Sequence, residues 1–137
     1  MKIDVFKKMM EKEKPRRKRR HLESGDQQAC VRWFRLAYPD YLCFSVPNGG
    51  SRNAMEAANL KKEGALSGVS DLIVVAHRAV LFIEMKHGKN KQSPSQIKFQ
   101  KDVERLGHDY AVCYGKQDFQ LTIERWLKER YGYESQV

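Results

Sequence analysis

Two acidic residues and a lysine stand where a pair of β-strands would bring them together. Asp71 precedes an apolar run at 72–76, and Glu84-Met85-Lys86 follows a second apolar run at 79–83. Both runs are short and rich in β-branched residues, which is typical of strands, and His77-Arg78 between them indicates a turn. A hairpin centred there pairs residues whose numbers sum to 155. It therefore places Asp71 directly opposite Glu84.

Such a cross-strand pair of carboxylates needs a cation. The two Cβ atoms would lie roughly 5 Å apart, a separation at which like charges are destabilising. Alternation along the strand points Lys86 to the same side as Glu84, and Met85 to the opposite side, into the core. Two carboxylates that can hold Mg²⁺ and an ammonium group beside them are the parts that phosphodiester hydrolysis requires. An exposed charged pair at a strand end is the simpler interpretation of Glu84 and Lys86 alone.

The size and composition of the chain indicate one soluble domain. With 137 residues, 41% of them hydrophobic, the chain has material for a single modest core. It contains no apolar stretch of membrane-spanning length and no secretory signal, so we expect a cytoplasmic protein without a membrane partner. Cys30, Cys43 and Cys113 are widely spaced in apolar surroundings, which favours buried, reduced thiols over disulfides or a zinc site.

Most of the net positive charge lies near the N-terminus. Of 26 basic and 17 acidic residues, ten basic and three acidic ones fall within residues 1–20, which leaves sixteen and fourteen for the remainder. We therefore divide the chain into a flexible basic arm, residues 1–20, and a folded domain, residues 21–137. A tail kept for solubility fits this composition as well as a DNA contact does, and a nuclear-import signal is a weaker interpretation. The residues of the arm that we predict to contact DNA phosphates are Arg16, Arg17, Lys18, Arg19 and Arg20.

Helix and strand signals alternate along the rest of the chain. The first helix begins at Ser24, where Gln27 completes a capping box, and Ser93-Pro94 starts a later helix in the same manner. The order of elements, α-β-α-β-β-α-β-α, predicts an α/β fold in which a mixed central sheet is flanked by helices. The predicted elements are a helix over 24–38, a strand over 41–46, a short helix over 53–63, the two hairpin strands, a helix over 94–106, a strand over 110–114 and a helix over 119–130.

Four segments of the chain form a recognisable set. They are Pro47-Asn48-Gly49-Gly50-Ser51-Arg52, Gly68-Val69-Ser70-Asp71-Leu72, Phe82-Ile83-Glu84-Met85-Lys86 and Ser93-Pro94-Ser95-Gln96. In order and spacing they resemble the VRR-NUC domain, a family within the restriction-endonuclease-like PD-(D/E)XK superfamily. The resemblance covers residues from about Glu23 to Leu127, and it implies a restriction-endonuclease-like core. Ser70 departs from the family, which usually has proline before the metal-binding aspartate; proline there stiffens the backbone and does no chemistry.

The resemblance implies roles for individual residues. Asp71 and Glu84 match the acidic ligands of Mg²⁺, for which Mn²⁺ can substitute, and the backbone carbonyl of Met85 matches a further ligand. Lys86 matches the catalytic lysine. Glu23 matches an additional acid on the first helix, and Gln96 matches a glutamine that faces the active site from the helix after the motif, although helix solubility also explains Gln96.

Four further residues are weaker candidates. Gln27 lies one helical turn after Glu23 and so can face the same site, but its capping role explains it equally well. Asn48 and Arg52 are predicted DNA contacts, whereas a tight turn is the better explanation of Asn48 and its glycines. His87 follows Lys86 directly and could act as a base or touch DNA, although histidine at a strand end is more often incidental.

The resemblance implies a metal-dependent DNA endonuclease. Family members of about this size resemble phage or bacterial proteins that cut branched DNA, including four-way junctions, so the expected setting is a bacterial cell. Symmetrical cutting of a junction needs two active sites and this chain has one, which predicts a homodimer. Two alternatives stay open: a non-catalytic nucleic-acid-binding module with the same fold, and a nuclease that acts on linear duplex DNA.

Overall fold

The computed structural model describes residues 15–47 and 53–132, with side chains from residue 26 onward. The observed order of elements, α-β-α-β-β-α-β-α, is the predicted one. No helix within these ranges is long and apolar enough to cross a membrane. The elements are α1 (Pro15–Ala37), β1 (Leu42–Ser45), α2 (Ala54–Lys62), β2 (Leu72–Ala76), β3 (Ala79–Lys86), α3 (Pro94–Arg105), β4 (Asp109–Tyr114) and α4 (Gly115–Tyr131).

The four strands form one mixed sheet in the order β1-β2-β3-β4. β1 pairs with β2 and β2 with β3 in antiparallel fashion, whereas β3 and β4 are parallel because α3 connects them. In the β2–β3 hairpin, Ala76 pairs with Ala79 and Leu72 with Ile83. These residue numbers sum to 155, so the predicted register is confirmed. One step beyond the last pair, the same register brings Asp71 opposite Glu84.

The core lies between one face of this sheet and the helices α1 and α4. Leu72 and Ile83 point to that face and are fully buried, as are Phe34 of α1 and Phe119 of α4. Because side chains alternate along a strand, the intervening residues of β2 and β3 point to the opposite face. There α3 covers the β3–β4 half of the sheet, with Phe99 packed edge-on against Phe82 of β3 at 5.4 Å. Asp71, Glu84 and Lys86 therefore belong to the face that α3 partly covers.

The start of α3 follows its sequence signal. Ser93 is the N-cap and Pro94 the first helical residue, as predicted. The Ser93 hydroxyl accepts a hydrogen bond from the Gln96 amide at 3.3 Å, and the Gln96 side-chain oxygen accepts one from the Ser93 amide at 2.8 Å. This reciprocal capping box fixes the first turn of the helix and, with it, the position of Gln96.

The starts of two other helices differ from the prediction. α1 begins at Pro15 and not at Ser24, so the predicted capping box of Ser24 and Gln27 is wrong. Proline suits a first helical position, and the Arg and Lys residues after it are good helix formers, which outweighs the roughly 1 kcal/mol that Gly25 costs in a helix. α4 begins at Gly115 and not at Phe119, directly after β4.

The early start of α4 has a local cause. Gly115 adopts a positive φ of 85°, which lets the chain turn from strand to helix without a loop. The backbone amide of Tyr114 donates to the Asp118 carboxylate at 2.8 Å and so satisfies one of the free donors of the first turn.

The predicted basic arm falls mostly outside the described region. Residues 1–14 are not among the described residues, and residues 16–20 occupy the first turns of α1. The division of the chain at residue 20 stays a prediction.

Candidate active site

The site lies at the end of the β2–β3 hairpin, where the two strands leave the core. Asp71 stands one residue before β2, and its backbone carbonyl accepts a hydrogen bond from the Val46 amide at 2.8 Å. One oxygen of its carboxylate, Oδ2, accepts from the Met85 amide at 2.9 Å. The Asp71 side chain is thus anchored across the hairpin and lies beside Glu84, whose protonation it affects.

Glu84 is a buried carboxylate with one oxygen that accepts a hydrogen bond and one oxygen that has no hydrogen-bond partner among the described residues. The residue is only 3% exposed. Its Oε1 accepts a hydrogen bond from Gln96 Nε2 at 3.0 Å and lies 3.7 Å from Lys86 Nζ. Its Oε2 is buried and meets no hydrogen-bond donor among the described residues. Burial raises the pKa of Glu84 to about 8, and the adjacent Asp71 carboxylate adds to the rise, while Lys86 opposes it.

Gln96 joins the acid and the lysine of this site. Its amide nitrogen donates to Glu84, and its amide oxygen accepts from Lys86 Nζ at 2.9 Å as well as from the Ser93 amide at 2.8 Å. Both ends of the side chain are therefore used. The cap holds Gln96, and Gln96 in turn fixes Glu84 and Lys86 relative to each other.

A close backbone contact couples α3 to the segment that carries Asp71. Gly68 has a positive φ of 85°, and a Cβ atom built there would lie 2.2 Å from the backbone oxygen of Ser95. Only glycine fits at this distance and in this conformation. The loop before Asp71 consequently packs directly on the first turn of α3, one residue from Gln96.

The C-terminal half of α1 reaches the same end of the sheet. His87 follows Lys86, and its Nδ1 lies 4.0 Å from Oδ2 of Asp26 on α1. Gln27, the next residue, lines a groove with Ser45. The structure thus brings together Asp71, Glu84, Lys86 and Gln96, and it places His87 at their margin.

Several predicted site residues lie where the structure gives no side chain. Asn48 and Arg52 lie outside the described residues, as do the side chains of Glu23 and of the arm residues 16–20. Their roles stay predictions, as does the ligand role of the Met85 carbonyl.

The donor set fits a hard divalent cation. In the described ranges, no three or more His, Cys, Asp and Glu side chains gather into a candidate metal cluster. Among the described side chains, the candidate ligands are Asp71 and Glu84, which lie side by side. Mg²⁺ commonly binds through one or two carboxylates and keeps waters in its other positions, so two suffice. The bare Oε2 of Glu84 is the observation that favours a cation, because a buried oxygen without a partner is costly.

The sequence did not predict a set of hydrogen bonds that fixes the loop beside the site. Gln92 Nε2 donates to Gln100 at 2.9 Å and to the Tyr110 hydroxyl at 3.2 Å, and the Tyr114 hydroxyl donates to the Asn90 carbonyl at 3.1 Å. These bonds tie the loop after Lys86 to α3 and β4. Burial raises the pKa of Tyr110 to about 12, so its hydroxyl stays protonated. No local sequence signal marks these contacts, since each joins residues of different elements.

Comparison with known proteins gives three results. The family model of the VRR-NUC domain matches residues 17–117. A solved structure described as a VRR_NUC domain protein is similar to this chain with a TM-score of 0.65 and 22% sequence identity, over 78% of this chain and 88% of that chain. At this identity the similarity shows the fold. No curated protein matches the chain significantly.

Proposed function

Because this chain belongs to the VRR-NUC domain family, whose members are nuclease domains with DNA as their partner, we propose that it is a divalent-metal-dependent DNA endonuclease. The observation that carries the proposal is the buried Glu84 beside the half-buried Asp71, with Glu84 Oε2 lacking a donor in the described part of the chain. A divalent cation at this point would neutralise both carboxylates and would be a partner for Glu84 Oε2.

The proposed ligands are Asp71, Glu84, the Met85 carbonyl and Glu23, and the proposed ion is Mg²⁺ or Mn²⁺. When bound, such an ion supplies charge neutralisation at the phosphate and lowers the pKa of a bound water. Asp71 is held for this task by the Met85 amide, and Glu84 by Gln96. Burial of the Glu84 carboxylate keeps bulk water away from one side of the site.

Lys86 supplies the remaining positive charge. Its ammonium group is fixed by the Gln96 oxygen at 2.9 Å and lies 3.7 Å from Glu84 Oε1, which preorganises it on the side of the carboxylates. From there it would stabilise negative charge that develops on the attacked phosphate. Gln96 is a positioning residue in this scheme, since it acts through Glu84 and Lys86.

The proposed substrate is branched DNA, including four-way junctions, and the proposed active form is a homodimer. This part rests on the resemblance of the chain to small members of its family. Two symmetrical cuts in a junction require two copies of the Asp71–Glu84–Lys86 site, and each chain provides one.

A cleavage panel tests the proposal. Labelled four-way junction, flap and linear duplex are incubated with the wild type, Lys86→Met and Lys98→Met in the presence of Mg²⁺ or EDTA. Lys98 is the matched control, because it is an exposed lysine of α3 paired with Asp102, away from the site. We expect metal-dependent cleavage by the wild type and Lys98→Met, preference for the junction, and loss of cleavage in Lys86→Met.

The outcomes separate the parts of the proposal. Cleavage that persists in Lys86→Met or in EDTA would contradict the assigned site. Equal cleavage of the linear duplex and the junction would contradict the proposed preference for branched DNA. A monomeric active form would contradict the proposed homodimer.

A further inference from the structure

A groove of about 710 Å³ runs between α1 and the outer edge of β1, the edge strand next to Asp71. Its polar wall is formed by Gln27, Gln28, Arg32 and Arg35 of α1 together with Ser45 of β1. Val31 and Leu36 add apolar surface, and Leu36 is 68% exposed. None of the lining residues in the described part of the chain is acidic. The groove therefore offers two guanidinium groups, two amides and a hydroxyl without a competing carboxylate.

A second cavity, at the opposite edge of the sheet, shows that this charge pattern is local. It has a volume of about 470 Å³ and lies between β4 and α4. Glu104, Asp109 and Glu129 line it beside Arg125 and His108, so its balance is acidic. Positive charge is thus not a property of every groove in the folded domain, whose sequence after residue 20 is nearly balanced. Of these two cavities, the one beside α1 is lined by basic residues without acidic ones among the described residues.

The spacing of the α1 residues suits a repeating anion. Gln28, Arg32 and Arg35 follow one another at intervals of four and three residues, which makes them neighbours on one helix face. They span about 10 Å along the helix axis. Charges recur about every 3.4 Å along one strand of a DNA duplex, so this length corresponds to more than one phosphate. The apolar surface of Val31 and Leu36 fits the sugars between the phosphates, which a site for a single free anion would not need.

Both walls of the groove lead, along the chain, to residues beside the candidate active site. On the β1 wall, Ser45 is followed by Val46, whose amide donates to the Asp71 carbonyl at 2.8 Å. On the α1 wall, Gln27 follows Asp26, which lies 4.0 Å from His87 beside the candidate lysine. This proximity brings the groove within reach of a strand that leaves the scissile phosphate.

We propose that this groove binds the phosphate backbone of the DNA arm that leads away from the cleavage site, with Arg32 and Arg35 as the phosphate contacts. The ligand class rests on the proposed function, whereas the groove and its charge do not. Gln27 takes part here as a wall residue of the DNA groove. The helix continues from the groove toward residues 16–20, so the basic run of the sequence extends the same element.

Arg32 and Arg35 differ in one respect that guides the test. Arg35 Nη2 donates to the Cys43 carbonyl at 3.2 Å, so it also covers the backbone of the edge strand. Removing Arg35 would change both the groove and the fold. Arg32 is exposed on α1, and its substitution tests the charge of the groove alone.

The experiment measures DNA binding without metal, by fluorescence anisotropy over a salt series, for the wild type, Arg32→Gln, Arg32→Glu and Arg125→Gln. Arg125 lines the acidic cavity and is the matched control. We expect the dissociation constant to rise about 5-fold in Arg32→Gln and more in Arg32→Glu. The slope of log K against log salt should fall by roughly 0.7–0.9 for the one lost phosphate contact, while Arg125→Gln binds like the wild type.

Mn²⁺ binding and oligomeric state, measured on the same variants, separate the possible failures. Unchanged Mn²⁺ binding in Arg32→Gln shows that an effect on DNA does not arise from damage to the metal site. Equal DNA affinity and salt slope in the wild type and Arg32→Glu would overturn the groove proposal, even where cleavage supports the proposed function. A dimer that dissociates in Arg32→Glu without loss of DNA affinity would overturn it as well, because it would assign the groove to a second copy of the chain.

Discussion

Glu84 and Asp109 are carboxylates on adjacent parallel strands, but their surroundings differ in kind. Asp109 has a side chain that is 35% exposed, and its Oδ2 accepts hydrogen bonds from Trp126 Nε1 at 2.7 Å and from Arg130. Glu84 is 3% exposed and faces Asp71, and its Oε2 meets no donor among the described residues. Asp109 thus has a cation, an indole donor and access to water, whereas half of the Glu84 carboxylate has none of these.

The two carboxylates therefore have different roles. Asp109 stabilises the fold through its own hydrogen bonds, whereas Glu84 is held in position by the fold around it. The bonds of Asp109 tie the start of β4 to the last turns of α4, and they are complete within the chain. The arrangement around Glu84 destabilises the folded state unless a cation lies beside the carboxylate, because a buried and incompletely paired carboxylate is destabilising. Binding of a metal ion would account for that cost, whereas a purely structural role would not.

The largest expected effect is on DNA cleavage by Glu84→Gln. Glutamine preserves the shape and can still accept the bond from Gln96, but it removes the charge that would hold the metal. We expect the cleavage rate with Mg²⁺ to fall on the order of 10²–10³-fold or more, as for the loss of other groups that stabilise transition-state charge. Asp109→Asn should remain within roughly twofold of the wild type. Similar losses in both variants would erase the distinction between the two carboxylates.

The next effect concerns the stability of the metal-free protein as a function of pH. The pKa of Glu84 is raised from its ordinary value of 4.5 to about 8, so the folded state binds a proton more tightly than the unfolded state. The associated stability is fully present below pH 4.5 and is lost as the pH rises toward 8. Urea unfolding should therefore show the wild type losing stability relative to Glu84→Gln over this range, by a few kcal/mol in order of magnitude.

Saturating Mg²⁺ should reverse that ranking at pH 8, because ion binding favours the charged folded form of the wild type. Parallel stability curves for the two proteins in the absence of metal would show that Glu84 is not the buried acid described here.

The loop that carries Asp71 can be disturbed without changing any charge. In Gly68→Ala, the new methyl group would overlap the Ser95 backbone, and alanine would have to adopt a positive φ. We expect a loss of stability on the order of 2–3 kcal/mol together with weaker cleavage, since α3 and Gln96 must shift. Gly107→Ala is the matched control, because its φ of 88° gives similar backbone strain while no atom lies within 4 Å of the added methyl.

Thermal unfolding and cleavage are measured for both glycine variants. If Gly107→Ala loses as much cleavage as Gly68→Ala, the contact with Ser95 does not position the site.

The smallest effect is expected at Asp109 itself. Asp109→Ala leaves Trp126 Nε1 and Arg130 without their acceptor, which should cost about 1–2 kcal/mol of unfolding free energy. Partial exposure of Asp109 and Arg130 lets water replace some of the lost bonds, which limits the loss. Mn²⁺ affinity should not change, and a parallel loss of Mn²⁺ binding would place Asp109 in the functional site.

The surroundings of Glu84 could be predicted from the sequence, whereas those of Asp109 could not, and the reason is separation along the chain. The Asp71–Glu84 pair follows from a turn at His77-Arg78 and a strand period of two, both of which are local. The bonds of Asp109 reach Trp126 and Arg130, 17 and 21 residues away on a helix that packs back onto β4. Such contacts depend on the packing of elements, which periodicity does not encode.

The helix starts show the same limit. The start of α3 was predicted correctly because Ser93 as N-cap, Pro94 as first helical residue and Gln96 in the capping box all indicate the same start. Ser24 carried the same kind of signal but lies inside α1, where a continuous run of good helix formers outweighs one local cap. The double role of Gln96, as cap and as clamp on Glu84 and Lys86, follows only from the position of α3 over the sheet.

Calorimetric titration of Mn²⁺ into the wild type, Glu84→Gln and Asp109→Asn at pH 7.5 tests the central claim most directly. The wild type and Asp109→Asn should bind Mn²⁺ with the same affinity and release protons to the buffer as they do so, because Glu84 must be deprotonated to bind the ion. Glu84→Gln should bind at least tenfold more weakly. Equal Mn²⁺ affinity in all three proteins would contradict the assignment of Asp71 and Glu84 as the metal site.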